Sequence, residues 1–151
     1  MFTNIKYIIY TDGGSRGNPG RAGCGVVVTD ANNQILKKAT KSLGLATNNE
    51  AEYQAVILGL DTLKKMLGSS KLATAEIEVR MDSQLVASQL AGLYQIKEET
   101  LFPFFIKIWN LQVKDFPKIK FTYIPRAENS LADALANQAM DEGKQGRLLK
   151  I

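Results

Sequence analysis

The sequence contains no histidine and a single cysteine among its 151 residues. Histidine is the commonest general base and a common metal ligand, so its absence argues against triad hydrolases and zinc enzymes. One cysteine cannot form an intrachain disulfide. Cys24 lies in the short apolar run 24–28, where a free thiol is usually buried, and we expect it to be unreactive.

Long hydrophobic runs are also missing. No segment approaches the ~20 apolar residues of a membrane span, and the N-terminus lacks the basic, apolar and cleavage regions of a signal peptide. We therefore expect a cytoplasmic, soluble protein that does not associate with membranes. Neither repeats nor low-complexity tracts break the chain, and we expect a monomer.

What the sequence does contain is sufficient for one packed domain, since 45% of its residues are hydrophobic and 23% are charged. We place this domain at residues 1–142. The glycines at 143 and 146 predict that residues 143–151 form a separate C-terminal tail. A net charge of +4 favours a polyanionic partner weakly.

The periodicity of apolar residues predicts an α/β fold. Alternation and turn residues predict strands, and helical spacing with capping residues predicts helices, including apolar positions 102, 105, 106, 109 and 113 in the third helix. The strands are expected at 5–12, 22–29, 34–42, 75–81 and 118–124, and the helices at 48–67, 83–90, 99–113 and 130–141. This order predicts a five-stranded mixed sheet, with a three-stranded antiparallel meander and two parallel strands, flanked by helices.

Four acids lie at the edges of these apolar segments: Asp12, Glu52, Asp82 and Asp133. Ordinary structural roles exist for three of them. Asp12 has the position of a turn residue, Asp82 that of a helix N-cap, and Asp133 follows Ser130 at the spacing of a capping box. Taken one at a time, these acids do not decide between structure and chemistry.

Glu52 favours chemistry, because it lies on the apolar stripe of its helix, where a solvated charge does not belong. If the first and fourth strands are parallel neighbours, Asp12 and Asp82 emerge at the same end of the sheet. The first turns of the helices bearing Glu52 and Asp133 can reach that end. Four oxygen ligands select Mg²⁺, with Mn²⁺ as a substitute, and two such ions would suit phosphodiester hydrolysis.

These residues resemble the motifs of the type 1 ribonuclease H family over residues 8–142. The resemblance rests on residues 11–20 (TDGGSRGNPG), 47–52 (TNNEAE), 82–84 (DSQ) and 125–136 (PRAENSLADALA). It implies a ribonuclease H-like fold and an endonuclease that cuts the RNA strand of RNA–DNA hybrids, leaving 5′-phosphate and 3′-hydroxyl ends. It also implies that the four acids hold two metal ions, and that the hybrid is contacted by Gly13, Asn18, Asn48, Asn49 and Gln84.

The chain departs from many members of this family in two ways. It lacks the histidine found in the loop before the last acid, and we expect Glu128 to carry the proton instead. It also lacks the basic, tryptophan-bearing insertion, since residues 92–97 (GLYQIK) pass directly to the next helix. The chain therefore resembles the compact archaeal and bacterial members.

Three other interpretations remain at this stage. An exonuclease of the same fold group would carry a second acid where Gly14 stands. A non-catalytic nucleic-acid-binding module would tolerate the loss of an acid, and all four acids are present. A ribonuclease H domain of reverse-transcriptase type would normally accompany a polymerase portion, which this sequence does not contain.

Overall fold

The computed structural model describes the backbone of residues 5–149 and the side chains of residues 5–143. Its centre is a five-stranded sheet in the order β3-β2-β1-β4-β5. The strands are β1 Lys6–Gly17, β2 Gly20–Asp30, β3 Ile35–Ala46, β4 Glu76–Met81 and β5 Ile119–Tyr123. β2 pairs antiparallel with β1 and β3, whereas β4 pairs parallel with β1 and β5. The predicted mixed sheet is confirmed.

The helices cover both faces of this sheet. They are α1 Asn48–Leu67, α2 Ser69–Leu72, α3 Gln84–Leu90, α4 Phe102–Asp115 and α5 Ser130–Leu149. Val26 and Val28 belong to the core that α1 fills, whereas an added Cβ on the alternating residue Gly25 would lie 2.3 Å from the Ala132 carbonyl oxygen of α5. Because successive strand residues point to opposite faces, α1 and α5 lie on opposite sides of the sheet.

α1 begins where the sequence predicts it, and the reason is local. Thr47 accepts a hydrogen bond from the Glu50 N–H, and the Glu50 side chain accepts one from the Thr47 N–H. This capping box satisfies two N–H groups that the first helical turn leaves without partners. The helix start, and with it the position of Glu52, is therefore fixed by residues adjacent in sequence.

The first hairpin differs from the prediction. Residues 13–20 were expected to form a loop, but β1 continues to Gly17, which pairs with Gly20 at the start of β2. Only Asn18 and Pro19 are left to form the turn. Turn-forming residues are thus incorporated into the ladder here, since pairing with β2 supplies hydrogen bonds that a loop would leave to water.

The last helix also differs from the prediction. An end at residue 141 is wrong, because α5 continues through Gly143 to Leu149. A glycine costs only about 1 kcal/mol in a helix interior, and it does not by itself end one. The boundary between a domain at 1–142 and a tail at 143–151 stays a prediction, and residues 150 and 151 lie outside the described residues. Within residues 5–149, no helix is long and apolar enough to cross a membrane.

Candidate active site

Two of the predicted acids are brought together by the parallel pairing of β1 and β4. Thr11 is the register partner of Met81 and the last residue of β1 paired with β4, so Asp12 and Asp82 follow side by side where this parallel pairing ends. The structural alternatives for these acids are excluded. Asp12 lies inside β1, opposite Gly25, and is not a turn residue. The N-cap of α3 is Ser83, whose hydroxyl accepts from the Val86 N–H at 3.2 Å, and not Asp82.

Glu52 joins them from α1, and Gly13 permits this. An added Cβ on Gly13 would lie 2.2 Å from the Ala51 carbonyl oxygen and 2.6 Å from the Glu52 nitrogen, so only glycine lets β1 and α1 approach so closely. One carboxylate oxygen from each of Asp12, Glu52 and Asp82 lies within 4.8 Å of the corresponding oxygens of the other two. Such a spacing suits joint coordination of a metal ion.

Asp133 approaches the same group from the first turn of α5. It is close enough to raise the pKa of Asp12, although Asp133 is not within the 4.8 Å group of three. The start of α5 is held in place by Asn129, whose buried Nδ2 donates to the Thr11 carbonyl oxygen at 2.9 Å. All four predicted acids therefore lie at one end of the sheet, with Asp12 in contact with acids on both faces.

Two carboxylate oxygens in this cluster are buried without any hydrogen-bond donor among the described residues: Glu52 Oε2 and Asp82 Oδ2. A buried anionic oxygen without a partner is strongly unfavourable. A divalent cation satisfies both oxygens, and a site made only of carboxylates suits Mg²⁺ or Mn²⁺. The residues present therefore fit the predicted metal.

The electrostatics agree with this interpretation. Burial raises the pKa of Asp12 to about 8, with further contributions from the charge of Asp82 and the hydrogen bond to Asp133, while Arg126 acts in the opposite direction. Burial also raises the pKa of Glu52 well above its usual value, as do the charges of Asp12 and Asp82. At neutral pH the cluster therefore cannot hold its full negative charge unless a cation is bound.

Asn18 and Asn48 join the tip of the first hairpin to α1. Asn18 Oδ1 accepts from the Asn48 backbone N–H at 3.0 Å, and Asn48 Oδ1 accepts from the Ser15 N–H at 3.0 Å and the Ser15 hydroxyl at 3.1 Å. Both side chains are exposed. Both side chains thus have a structural role, since their Oδ1 atoms join the hairpin to α1. The amide NH₂ group of each stays available as a donor.

The other predicted site residues have different settings. Asn49 is half-buried and donates from Nδ2 to Glu98 Oε1 at 2.8 Å. Gln84 is exposed at the start of α3, and Gly13 is buried beneath α1. Glu128 is exposed on the 3-10 turn Arg126–Asn129, and no hydrogen bond joins its side chain to the four acids within residues 5–143. Substrate contacts by these residues stay predictions.

Sequence reasoning missed Glu78, a second kind of buried acid in the sheet. Its carboxylate is 6% exposed, and Lys6 and Arg80 each approach it to 3.1 Å. Burial alone would raise the pKa of Glu78, but hydrogen bonds from Arg80, Thr122 and Lys6 lower it to about 2. Glu78 is therefore neutralised by protein cations and does not need a metal, in contrast to Asp12 and Glu52.

Cys24 is buried, as predicted, with its thiol against the Ala51 carbonyl oxygen at 3.4 Å. Burial raises the pKa of this thiol to about 12. Since the thiolate is the reactive form of cysteine, Cys24 has no part in the chemistry.

A mixed five-stranded sheet with acids at the ends of two adjacent parallel strands defines the ribonuclease H-like class. Comparison with known proteins is more specific. The reverse transcriptase-like family matches residues 10–139. LC11-RNase H1, isolated from compost by a metagenomic approach, is 48% identical with a TM-score of 0.87, over 91% of this chain and 97% of its own. The chain belongs to the type 1 ribonuclease H family.

Two curated relatives extend the comparison. Ribonuclease HI of Halobacterium salinarum is 38% identical over 88% of this chain and 63% of its own length. A bifunctional protein of Mycobacterium tuberculosis is 42% identical over 93% of this chain and 37% of its own length. The chain thus spans little more than a third of that relative. LC11-RNase H1 has also been solved in complex with an RNA/DNA hybrid, where it is 47% identical to this chain.

Proposed function

We propose that the protein is an endoribonuclease that hydrolyses the RNA strand of RNA–DNA hybrids and leaves 5′-phosphate and 3′-hydroxyl ends. One observation carries the proposal: one carboxylate oxygen from each of Asp12, Glu52 and Asp82 converges within 4.8 Å, and an oxygen of Glu52 and one of Asp82 are buried without a donor among the described residues. The family of the chain, and the hybrid bound by its relative LC11-RNase H1, support the substrate class.

In this proposal Asp12, Glu52, Asp82 and Asp133 hold two Mg²⁺ ions when the hybrid is bound, and Mn²⁺ substitutes for Mg²⁺. Bound there, a divalent cation supplies Lewis acidity to the attacking water and to the leaving oxygen of the phosphodiester. The contribution of the protein is to position these carboxylates: β1 and β4 fix two of them, and α1 and α5 bring the other two from opposite faces. No histidine is needed for this chemistry.

The amides supply the contacts to the substrate. Asn18 and Asn48 keep free Nδ2 donors at the hairpin tip, and Gln84 is exposed directly after Asp82 and Ser83. Amides bond to 2′-hydroxyls and base edges in the minor groove without distinguishing sequences. We propose that Gly13 contributes through its backbone at the same surface. Because DNA has no 2′-hydroxyl, these contacts select the RNA strand.

A cleavage assay with end-labelled substrates tests this function. We expect Mg²⁺-dependent and Mn²⁺-dependent cuts in the RNA strand of a hybrid, and none in single-stranded RNA or duplex DNA of the same sequence. Excess chelator should abolish the cuts, because the cluster cannot carry its charge without a cation. Chain ends are identified by their response to phosphatase and kinase. Metal-independent cutting would contradict the proposal.

We propose Glu128 as the proton carrier, since it is exposed on the 3-10 turn that leads into the helix bearing Asp133, where many family members carry histidine. We expect Glu128→Gln to lower kcat about a hundredfold or more while KM changes little, the scale of losing a general acid or base. A matched control is Glu76→Gln, an exposed acid at the other end of β4. If both variants turned over like the wild type, Glu128 would have no role in proton transfer.

The monomeric state, the cytoplasmic location and the extent of the catalytic domain, residues 1–142, stay predictions. Sedimentation tests the first of them directly. The chain spans only part of its M. tuberculosis relative, and the proposed activity concerns the sequence described here.

A further inference from the structure

Glu98 makes a contact that the four-acid site does not explain. It ends the segment 92–98 that links α3 to the 3-10 turn Glu99–Leu101, and its Oε1 accepts from Asn49 Nδ2 at 2.8 Å. Asn49 lies three residues before Glu52 on α1, so both side chains point to the same face of that helix. An acid from a distant loop thus touches a candidate substrate-binding amide one turn from the metal ligands.

The segment bearing Glu98 is held firmly against α1 and α3. The buried Tyr53 hydroxyl donates to Gln89 Oε1 at 2.7 Å, and Gln89 Nε2 donates to the Gln95 carbonyl oxygen at 3.5 Å. The Leu93 N–H donates to the Ser88 carbonyl oxygen at 2.8 Å. Leu101, directly after the segment, is fully buried. Glu98 is therefore presented to Asn49 by a braced loop, although its own side chain is exposed.

The chemistry of the pair decides which end of the Asn49 amide faces outward. An ionised carboxylate only accepts hydrogen bonds, whereas an amide has one accepting and one donating end. Glu98 therefore engages the Nδ2 end and leaves Oδ1 free. Asn18 and Asn48 have the opposite arrangement, because their Oδ1 atoms accept hydrogen bonds and their Nδ2 groups have no acceptor within the part of the chain that the structure describes.

We propose that Glu98 is a positioning residue for substrate recognition: it fixes the Asn49 amide so that Oδ1 accepts a hydrogen bond from a donor in the minor groove of the hybrid. This inference rests on the proposed hybrid cleavage. The minor groove offers two donors of this kind, the ribose 2′-hydroxyl and the guanine N2 amino group. With Asn18 and Asn48, the surface then presents two donors and one acceptor.

If only its charge mattered, Glu98 would weaken substrate binding instead of supporting it. A carboxylate beside a polyanion weakens binding of every nucleic acid, and replacing it with lysine should strengthen binding, more so at low salt. If Glu98 orients the Asn49 amide, the same substitution should weaken binding. Lysine only donates, so it would engage Asn49 Oδ1 and turn Nδ2 outward, which reverses the hydrogen-bonding pattern.

The test is Glu98→Lys against Glu99→Lys, measured as KM and kcat for hybrid cleavage. Glu99 is the next residue, and its exposed side chain makes no hydrogen bond or ion pair among the described residues. In Glu99→Lys the added positive charge should attract the polyanionic hybrid and lower KM. In Glu98→Lys we expect KM to rise about fivefold despite the same charge change, the scale of one hydrogen bond lost, with kcat within about twofold.

A second background isolates the role of Asn49. In Asn49→Ala, Glu98→Lys has no amide left to turn, so it should lower KM as Glu99→Lys does. If Glu98→Lys lowered KM in the wild-type background as well, Glu98 would be a bystander and the inference would be overturned. If the wild-type chain left hybrids uncut, the proposed function itself would be wrong. That result is distinguishable from a failure of the proposed role of Glu98.

Two modified substrates distinguish the donors. Inosine in place of guanosine removes the N2 amino group, and 2′-fluoro ribose in a hybrid competitor accepts but cannot donate. The modification that removes the true donor should weaken binding about fivefold to the wild type and have no effect on Asn49→Ala. If neither modification weakened wild-type binding, Asn49 would not accept from the hybrid and the inference would be overturned.

Discussion

Asp12→Asn is expected to abolish hybrid cleavage, lowering kcat by on the order of a thousandfold or more, which corresponds to about 4 kcal/mol of barrier. Asp12 is the acid that links the others: one of its oxygens lies within 4.8 Å of an oxygen of Glu52 and of Asp82, and Asp133 is close enough to raise its pKa. An amide cannot supply the anionic oxygen that the cation requires.

The measurement is kcat on a labelled hybrid in saturating Mg²⁺. Asp61→Asn is a matched control, since Asp61 lies on α1 nine residues after Glu52 and its side chain makes no hydrogen bond or ion pair among the described residues. It should retain the wild-type kcat. Wild-type turnover by Asp12→Asn would remove this acid, and with it the proposed metal site, from the mechanism.

The same variant should be more stable than the wild type when metal is removed. The pKa of Asp12 is about 8 in the folded protein, above its ordinary value of 3.8, so the folded state holds a proton that the unfolded chain releases. Stability from this group therefore falls as pH rises from about 4 to 8. Asn carries no charge, and at ~1.4 kcal/mol for each pKa unit we expect a gain of up to about 5 kcal/mol at pH 8 and almost none at pH 4. Urea unfolding in chelator at both pH values measures it.

Gly13→Ala is expected to destabilise the fold by about 3 kcal/mol or more, because the new methyl group would overlap backbone atoms that cannot move aside. The Ala51 carbonyl oxygen would lie 2.2 Å from the added Cβ. β1 is held by β2 and β4 on its two sides and cannot shift. The overlap is therefore relieved by moving α1 away from the sheet, which disrupts its packing against the core.

Activity should fall together with stability. Moving α1 away from β1 carries Glu52 away from Asp12 and Asp82, and a displacement of about 1 Å in a catalytic arrangement costs on the order of a hundredfold. Gly14→Ala is the matched control, since its Cβ would meet only the flexible end of Met140, at 3.3 Å. It should cost about 1 kcal/mol or less. Equal stability of the two variants would show that α1 tolerates displacement.

Much of this site is determined by local sequence. The capping box of Thr47 and Glu50 starts α1, and this start sets Glu52 on the stripe that faces the core. Alternation in β1 and β4 ends at Asp12 and Asp82, and the helical connections between the strands make the two strands parallel. Short-range patterns of this kind are determined by backbone geometry, which is why the four acids were predicted together.

Tertiary packing decided the remainder. The spacing of apolar residues in α4 predicts a helix but not its orientation: Ile108 is fully buried, whereas Trp109 is 56% exposed. β1 continues through its glycines because β2 pairs with it, and α5 passes Gly143 without ending. The outward-facing atom of Asn49 depends on Glu98, forty-nine residues later in the chain.

The grouping of the acids and the mixed sheet thus follow from the sequence, since each depends on neighbouring residues or on hand and connection rules. The sequence does not determine which end of each amide, the oxygen or the NH₂ group, faces the substrate. An asparagine has the same two ends in every context, and only a partner brought close by the fold selects which end meets the substrate.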